Sequence, residues 1–157
     1  MALQVRVAEA ADAESLVALI NAAFGKAERH IIDRDRIDLE TVRSLFSKGR
    51  FLVAEDEYGF VGCVYLELRG ERAYLGLLSV APDRQKAGIG STLMREAEQR
   101  CVEAGCRFID LKTINLRSDN QAFYQQRGYV ETGTEPFPSE LKTRLPCHFV
   151  NMSKRLS

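Results

Sequence analysis

Apolar and polar positions alternate at the start of the chain, where Leu3, Val5 and Val7 are separated by Gln4 and Arg6, a period of two that predicts a half-buried strand. The period then lengthens. Leu16, Leu19, Ile20, Ala23 and Phe24 recur at helical spacing behind Asp12, a capping residue type, and Gly25 marks the expected stop. From Lys26 to Asp38 both charges intermix (Arg29, Arg34 and Arg36 against Glu28, Asp33 and Asp35) with few apolar anchors, which reads as an exposed loop. A second helix is expected after Asp38, with Leu39, Val42, Leu45 and Phe46 inward, closed by Gly49.

Three strand-like runs follow: Phe51 to Glu55, Phe60 to Leu68, and Ala73 to Val80. Tyr58-Gly59 and Arg69-Gly70 separate them, so an antiparallel meander is the economical reading. Between Gly90 and Ala104, Leu93, Met94, Ala97, Cys101 and Ala104 form one apolar stripe, with Arg95, Glu96, Glu98 and Arg100 outside. Phe108 to Leu111 is a short apolar run, expected to be a buried strand that this helix returns to the sheet. A short helix around Gln121 to Arg127, a strand at Tyr129 to Glu131 and a last strand near His148 to Met152 complete the order, with Pro136, Pro138 and Pro146 in the connection between the two strands. The expected fold is α/β (α+β), a mixed central sheet of about seven strands flanked by about four helices.

Composition narrows the classes. The 157 residues match roughly 150 for a single domain, expected over 1–157, and 45% apolar residues can bury one core. The 22 basic residues balance the 22 acidic ones, so no global field draws the chain to nucleic acid or to a membrane surface. Cys63, Cys101, Cys106 and Cys147 form no CxxC pair and the two histidines, His30 and His148, lie far apart, so no metal is expected and a reducing compartment is. The first residues lack a signal-peptide h-region, and no apolar run approaches the ~20 residues of a membrane span; a cytoplasmic location is the expectation.

The segment that carries chemistry runs from Leu77 to Ser91: a strand, a glycine-bearing turn and the long amphipathic helix. Gly88 and Gly90 allow a tight fold with N–H groups pointing inward, and the helix adds its positive dipole end, an arrangement that cradles phosphate. Gln85, Lys86 and Ser91 add side-chain donors. A Gly-x-Gly before a helix is also often a mere connection. This one is neither a P-loop, lacking Gly-Lys-Ser/Thr, nor a Rossmann fingerprint, since Leu93 stands where the third glycine would be.

Gln85-x-x-Gly88-x-Gly90, behind a strand ending Ser79-Val80-Ala81-Pro82, resembles the acetyl-CoA pyrophosphate loop of the GNAT N-acetyltransferases. Phe123-Tyr124-Gln125-Gln126-Arg127-Gly128-Tyr129 is similar to the family's aromatic-Tyr-x-x-x-Gly-aromatic signature, and the element order over the whole chain is also the family's. The resemblance implies that the backbone of Gln85, Lys86, Ala87, Gly88, Ile89, Gly90 and Ser91 holds the pyrophosphate. It implies that Leu78, Ser79 and Val80 line a wedge in which the pantetheine arm pairs like an added strand. A bulged N–H at Val80 or its neighbour would face the thioester carbonyl, as acyl transfer requires. Tyr124 would be the general acid for the departing thiolate, a phenol protonated at neutral pH by its ordinary pKa of ~10. From local pattern alone Tyr124 reads rather as a core aromatic tied to the backbone, and it is the motif that reverses this. Asn115 would bind the pantetheine arm, with Asn120 the competing position; either can also cap the helix.

The chain departs from the family pattern at Tyr74, where many members carry the glutamate that deprotonates the acceptor; no Asp or Glu occurs from Ala73 through Pro82. Glu67 and His148 are substitute candidates, against an outward charge and a partly buried histidine as their bland readings. In the family, acceptor specificity resides in the regions that match Phe24 to Asp38 and Glu131 to Phe149. There His30, Arg29, Arg34 and Arg36 can recognise an acidic acceptor or simply form a solvated face. The loop Glu131 to Pro138 can wall that pocket, pack as a crossover or form a homodimer contact. The resulting expectation is an acetyl-CoA-dependent N-acetyltransferase that passes the acetyl group directly to a primary amine, a small molecule before a protein. The alternative is an inactive acyl-CoA-binding sensor or interaction module. An acyl-enzyme is not expected, because no cysteine has a plausible adjacent base and Cys63, Cys101 and Cys106 sit on apolar faces.

Overall fold

The computed structural model describes residues 3–32, 34–85, 87–138 and 142–156. Its strands are β1 (Gln4–Val7), β2 (Arg50–Asp56), β3 (Gly59–Arg69), β4 (Arg72–Val80), β5 (Phe108–Ile114), β6 (Val130–Pro136) and β7 (His148–Arg155). Its helices are α1 (Ala13–Glu28), α2 (Leu39–Phe46), α3 (Ile89–Glu103) and α4 (Ser118–Gln125). The seven strands form one sheet in the order β1-β2-β3-β4-β5-β7-β6, antiparallel except for β4 and β5. The expected α/β class, mixed sheet and meander of β2, β3 and β4 are therefore present.

The central strands are apolar on both faces, and the alternation sorts their side chains into two cores. Leu52, Ala54, Val64, Leu66, Ala73 and Leu75 pack with Leu93, Met94, Ala97 and Cys101 of α3. Phe51, Val53, Cys63 and Tyr65 pack on the other face with Leu16, Leu19 and Ile20 of α1 and Val42 of α2. The approach of α3 to β3 is close: a Cβ on Gly62 would stand 2.8 Å from Ile89 Cγ2 and 2.9 Å from Leu93 Cδ1.

Three sequence expectations are revised. The first helix does not stop at Gly25 but continues to Glu28, because burial of its apolar face outweighs the ~1 kcal/mol helical cost of a glycine. Asp12 stands at the start of α1, yet its carboxylate accepts from the Glu9 N–H (2.8 Å) and from Arg6 (2.9 Å) in the preceding turn, so it does not cap the helix. The segment after Tyr129 is a full strand to Pro136; at the sheet edge a proline leaves no ladder bond unmade, and a bulge between Glu131 and Gly133 absorbs the irregularity.

The geometry that positions the site lies between β4 and β5. They pair only from Arg72 to Tyr74 against Phe108 to Asp110 and then part, while β5 stays paired with β7 to Ile114. On its other edge β4 follows β3 with one irregularity: Leu77 and Leu78 together face the single residue Val64, and Leu77 takes φ +55°. This bulge bends β4 away from β5 and opens a wedge.

Candidate active site

The wedge joins three cavities. One of about 420 Å³ is bounded by Leu78, Ser79, Val80, the α3 N-terminus and α4. A middle one of about 170 Å³ shares Leu78, Phe24 and Asn120 with it and reaches Tyr124. A wide one of about 670 Å³ shares Tyr74, Gly76, Leu77, Leu111, Lys112 and Arg36 with the middle one and opens beside α2 and β6. Through these shared residues the three adjoin one another along the wedge between β4 and β5.

The 420 Å³ cavity has an anion-binding end. Gly88 starts α3 at φ +79°, and no side chain caps the helix, so the N–H groups of its first turn face the cavity without intrahelical partners. Arg127 lies beside them: it stacks 3.6 Å from the Phe123 ring centroid and donates to Ser91 Oγ. Arg117 lies on the same wall. Leu78, Ser79, Val80, Gln85, Gly88, Ile89, Gly90 and Ser91 all border this space; Ala87 does not, and Lys86 lies outside the described residues. The donor set and its volume fit a nucleotide pyrophosphate with a pantetheine-like arm along β4.

The strand edge supplies further donors. Ala81 N–H donates to Val61 O, so the neighbouring Val80–Gly62 pair is of the non-hydrogen-bonded kind and the Val80 N–H turns toward the wedge. The bulge itself is not at Val80 or its neighbour, as the family resemblance implied, but at Leu77 and Leu78, because that is where β4 carries its extra residue. Leu78 borders both the 420 and 170 Å³ cavities and so stands at their junction.

Asn115 is likewise displaced from the groove. Its Oδ1 accepts from the His148 N–H at 2.8 Å, which fastens the end of β5 to β7, and its side chain borders neither cavity. Asn120 borders both and accepts from Arg117 at 3.2 Å.

Tyr124 is buried and projects from α4 into the middle cavity, its ring edge-on to Phe123 (5.3 Å) and Tyr129 (5.8 Å). Among the described residues nothing hydrogen-bonds its hydroxyl, so it is not tied to the backbone. Burial pushes the phenol well above its usual pKa, partly opposed by Arg117 and Arg127, and it enters any reaction as the protonated form.

Tyr74 lies along Gly76 with Arg69 over its ring at 4.7 Å and contributes no carboxylate. Glu67 lines the wide cavity but is spent: Arg69 Nε donates to it at 2.9 Å and Tyr65 Oη at 2.8 Å, and these bonds hold its carboxyl below the usual range. His148 is exposed and borders none of the three cavities, contrary to the partly buried histidine expected. Of the two carboxylates that border the middle cavity, Asp35 is exposed and paired with Arg29, and the buried one is Glu28, which the sequence pattern assigned to an exposed loop. The extension of α1 carries it inside, where only 7% of its side chain stays exposed, and Arg117 Nη1 donates to its Oε2 at 2.7 Å. Desolvation raises its pKa above the ordinary carboxyl value, with Arg117 and Arg36 pulling the other way. Asp119 and Asn120 hold the other side of Arg117, so the buried pair is braced.

Of the basic residues before α2, Arg34 and Arg36 border the middle cavity, whereas Arg29 does not and pairs at 3.5 Å with Asp35, which does. Phe137, stacked 4.3 Å from Phe149, walls the same cavity. Among the described residues there is no cluster of three or more His, Cys, Asp or Glu able to hold a metal ion, and no helix long and apolar enough to cross a membrane.

The family model described as the acetyltransferase (GNAT) family matches residues 13–129. The chain is 28% identical over 95 residues to the uncharacterized protein YdhI of Bacillus subtilis (strain 168), covering 60% of this chain and 58% of that protein. It is 27% identical over 126 residues to a mycothiol acetyltransferase of Clavibacter sepedonicus, covering 79% of this chain and 41% of that one. The chain thus spans about half the length of these curated relatives. The crystal structure of a GNAT-family acetyltransferase from Staphylococcus aureus Mu50 superposes with a TM-score of 0.78 at 24% identity, covering 99% of this chain and 100% of that one.

Proposed function

Since the chain belongs to the GNAT acetyltransferase family, we propose that it transfers an acetyl group from acetyl-CoA directly to a primary amine of a small molecule. The observation that carries this reading is the junction at Leu78: a bulged strand residue, a buried phenol without a partner and a buried carboxylate border one 170 Å³ space, continuous with the uncapped end of α3.

The amides of Gly88 to Ser91, with Arg127 and Arg117, hold the pyrophosphate; the Val80 backbone and Asn120 align the pantetheine arm. Bound there, acetyl-CoA supplies an activated acyl carbon. The Leu78 amide faces the thioester carbonyl and stabilises the negative charge that develops on its oxygen. Glu28 takes the proton of the acceptor's ammonium and releases it to solvent; the freed amine nitrogen then forms the new bond to the acyl carbon as the carbon–sulfur bond breaks, its surplus proton leaves through Glu28, and Tyr124 delivers a proton to the departing sulfur. Both groups then recover their starting states from solvent. A carboxylate in a water-poor site with a raised pKa suits this task better than the paired Glu67.

The missing carboxylate at Tyr74 would favour a module that binds acyl-CoA without transferring it; Glu28 in the cavity supports the enzyme instead. The deciding experiment is calorimetric titration of acetyl-CoA and CoA into the protein, followed by thiol-release assays on a panel of amines. Binding with turnover is expected. Binding with no turnover on any amine class would support the sensor, and absence of binding would overturn the assignment of the α3 groove.

A further inference from the structure

The walls of the two acceptor-side cavities differ in how their charges are satisfied. In the wide cavity every carboxylate already has a cation: Glu67 takes Arg69, Asp110 takes both Nε and Nη2 of Arg72 at 2.7 and 2.6 Å, and Glu135 takes Lys112 at 3.9 Å. A purely cationic ligand entering from this side meets no unspent anion. Two cations on the same walls, Arg36 and Lys48, have no ion pair within 4 Å among the described residues. Arg36 is the more telling of the two, because it borders both the wide and the middle cavity. Its guanidinium lies 5.3 Å from the Phe24 ring centroid, a stacking contact that fixes its direction and leaves its N–H fork for an anion.

The middle cavity is also bordered by Glu28, with Oε2 engaged by Arg117 and no hydrogen bond to Oε1 among the described residues. Of the other charged groups on these walls, Asp35 is paired with Arg29 and Lys112 with Glu135, so the hydrogen-bonding capacity to spare lies on the Glu28 Oε1 and on the guanidinium of Arg36, with Arg34 a second cation on the same wall. The middle cavity's volume of about 170 Å³ admits only a few bonds between a ligand's two charged ends, while the wide cavity beyond has room for a substituent.

We infer that the acceptor is a small zwitterion, a primary amine whose ammonium faces Glu28 and whose nearby carboxylate or phosphorus oxyanion is held by Arg36. This rests on the acetyl-transfer reading above and narrows its acceptor. A lysine side chain of a protein carries no anion at that distance, and a polyamine carries a second cation where Arg36 stands.

The test is a matched panel assayed by thiol release with acetyl-CoA: α-amino acids, their methyl esters, the corresponding decarboxylated amines, short aminoalkylphosphonates, a polyamine and a lysine peptide. Acetyl-CoA binding is measured first on the same preparation. The expected result is turnover confined to the amino acids or the aminoalkylphosphonates, these two arms separating carboxylate from phosphorus oxyanions, with the free acid preferred over its ester at least tenfold in kcat/KM. In Arg36→Gln that preference should fall to near unity, mainly through KM, and Arg36→Lys should restore part of it, a pattern that a general loss of folding does not produce. Equal use of acid and ester, turnover of the polyamine or peptide instead, or bound acetyl-CoA with no turnover on any zwitterion overturns the inference. Failure to bind acetyl-CoA brings down the transfer reading itself.

Discussion

At Tyr124 the same residue that packs the core between Phe123 and Tyr129 presents an unpartnered hydroxyl to the middle cavity. Tyr124→Phe keeps the ring and removes only the proton donor, so kcat should fall tenfold or more, a loss on the scale of general acid catalysis, with acetyl-CoA affinity unchanged in a direct titration. Glu28 makes a second prediction through pH. A base must be ionised to act, so kcat/KM should rise with pH through the Glu28 pKa, which burial sets above the ordinary carboxylate range. Glu28→Gln should abolish that limb and leave a much slower rate that follows the ionisation of the amine. The stability sign is opposite: because the folded pKa is raised, the protonated form is favoured by folding, and this group's contribution to stability declines as pH rises from the unfolded to the folded value. At Gly88 the demand is on the backbone, since φ +79° is left-handed. Gly88→Val should strain the turn and weaken acetyl-CoA binding more than it changes the apparent KM for the acceptor.

At the scale of elements, the spacing of α3 against β3 sets the groove. Gly62→Ala forces Ile89 and Leu93 outward and should cost about 1–3 kcal/mol in denaturant unfolding, as overpacking does. Because Ile89 is the first residue of α3, the same variant should also loosen acetyl-CoA binding. Which elements were legible follows from their patterns. The alternating runs of β2, β3 and β4 and the one-sided stripe of α3 are periodic enough to be read directly, and Asp38 caps α2 as its type suggests, accepting from the Thr41 N–H at 2.8 Å. The ends of α1 and β6 were not legible, since a glycine and a proline signal a stop that packing in one case and an edge position in the other overrode.

Across the whole molecule, the groove along α3 and the wide cavity beside α2 approach the middle cavity from different sides. Both substrates can therefore be present together. Initial-rate plots at varied acetyl-CoA and acceptor should intersect, and parallel lines would indicate an acyl-enzyme. None of the cysteines borders the three cavities, and Cys63, buried among apolar groups with its pKa pushed up to about 12, is a poor nucleophile.

The sequence by itself determined the order of elements, the glycine-bearing loop before α3 and the tyrosine on α4, because these depend on residues close together in the chain and on steric rules that act locally. Only the tertiary structure decided which side chains share the middle cavity. Glu28 is 89 residues from Arg117, which holds it, and its entry required α1 to run past Gly25. The bulge moved from Val80 to Leu77 and Leu78 because register depends on what β3 offers opposite. Asn115 gave way to Asn120 because the end of β7 claimed its side chain. Each of these outcomes is a competition between distant partners, settled by burial and pairing that no local pattern records.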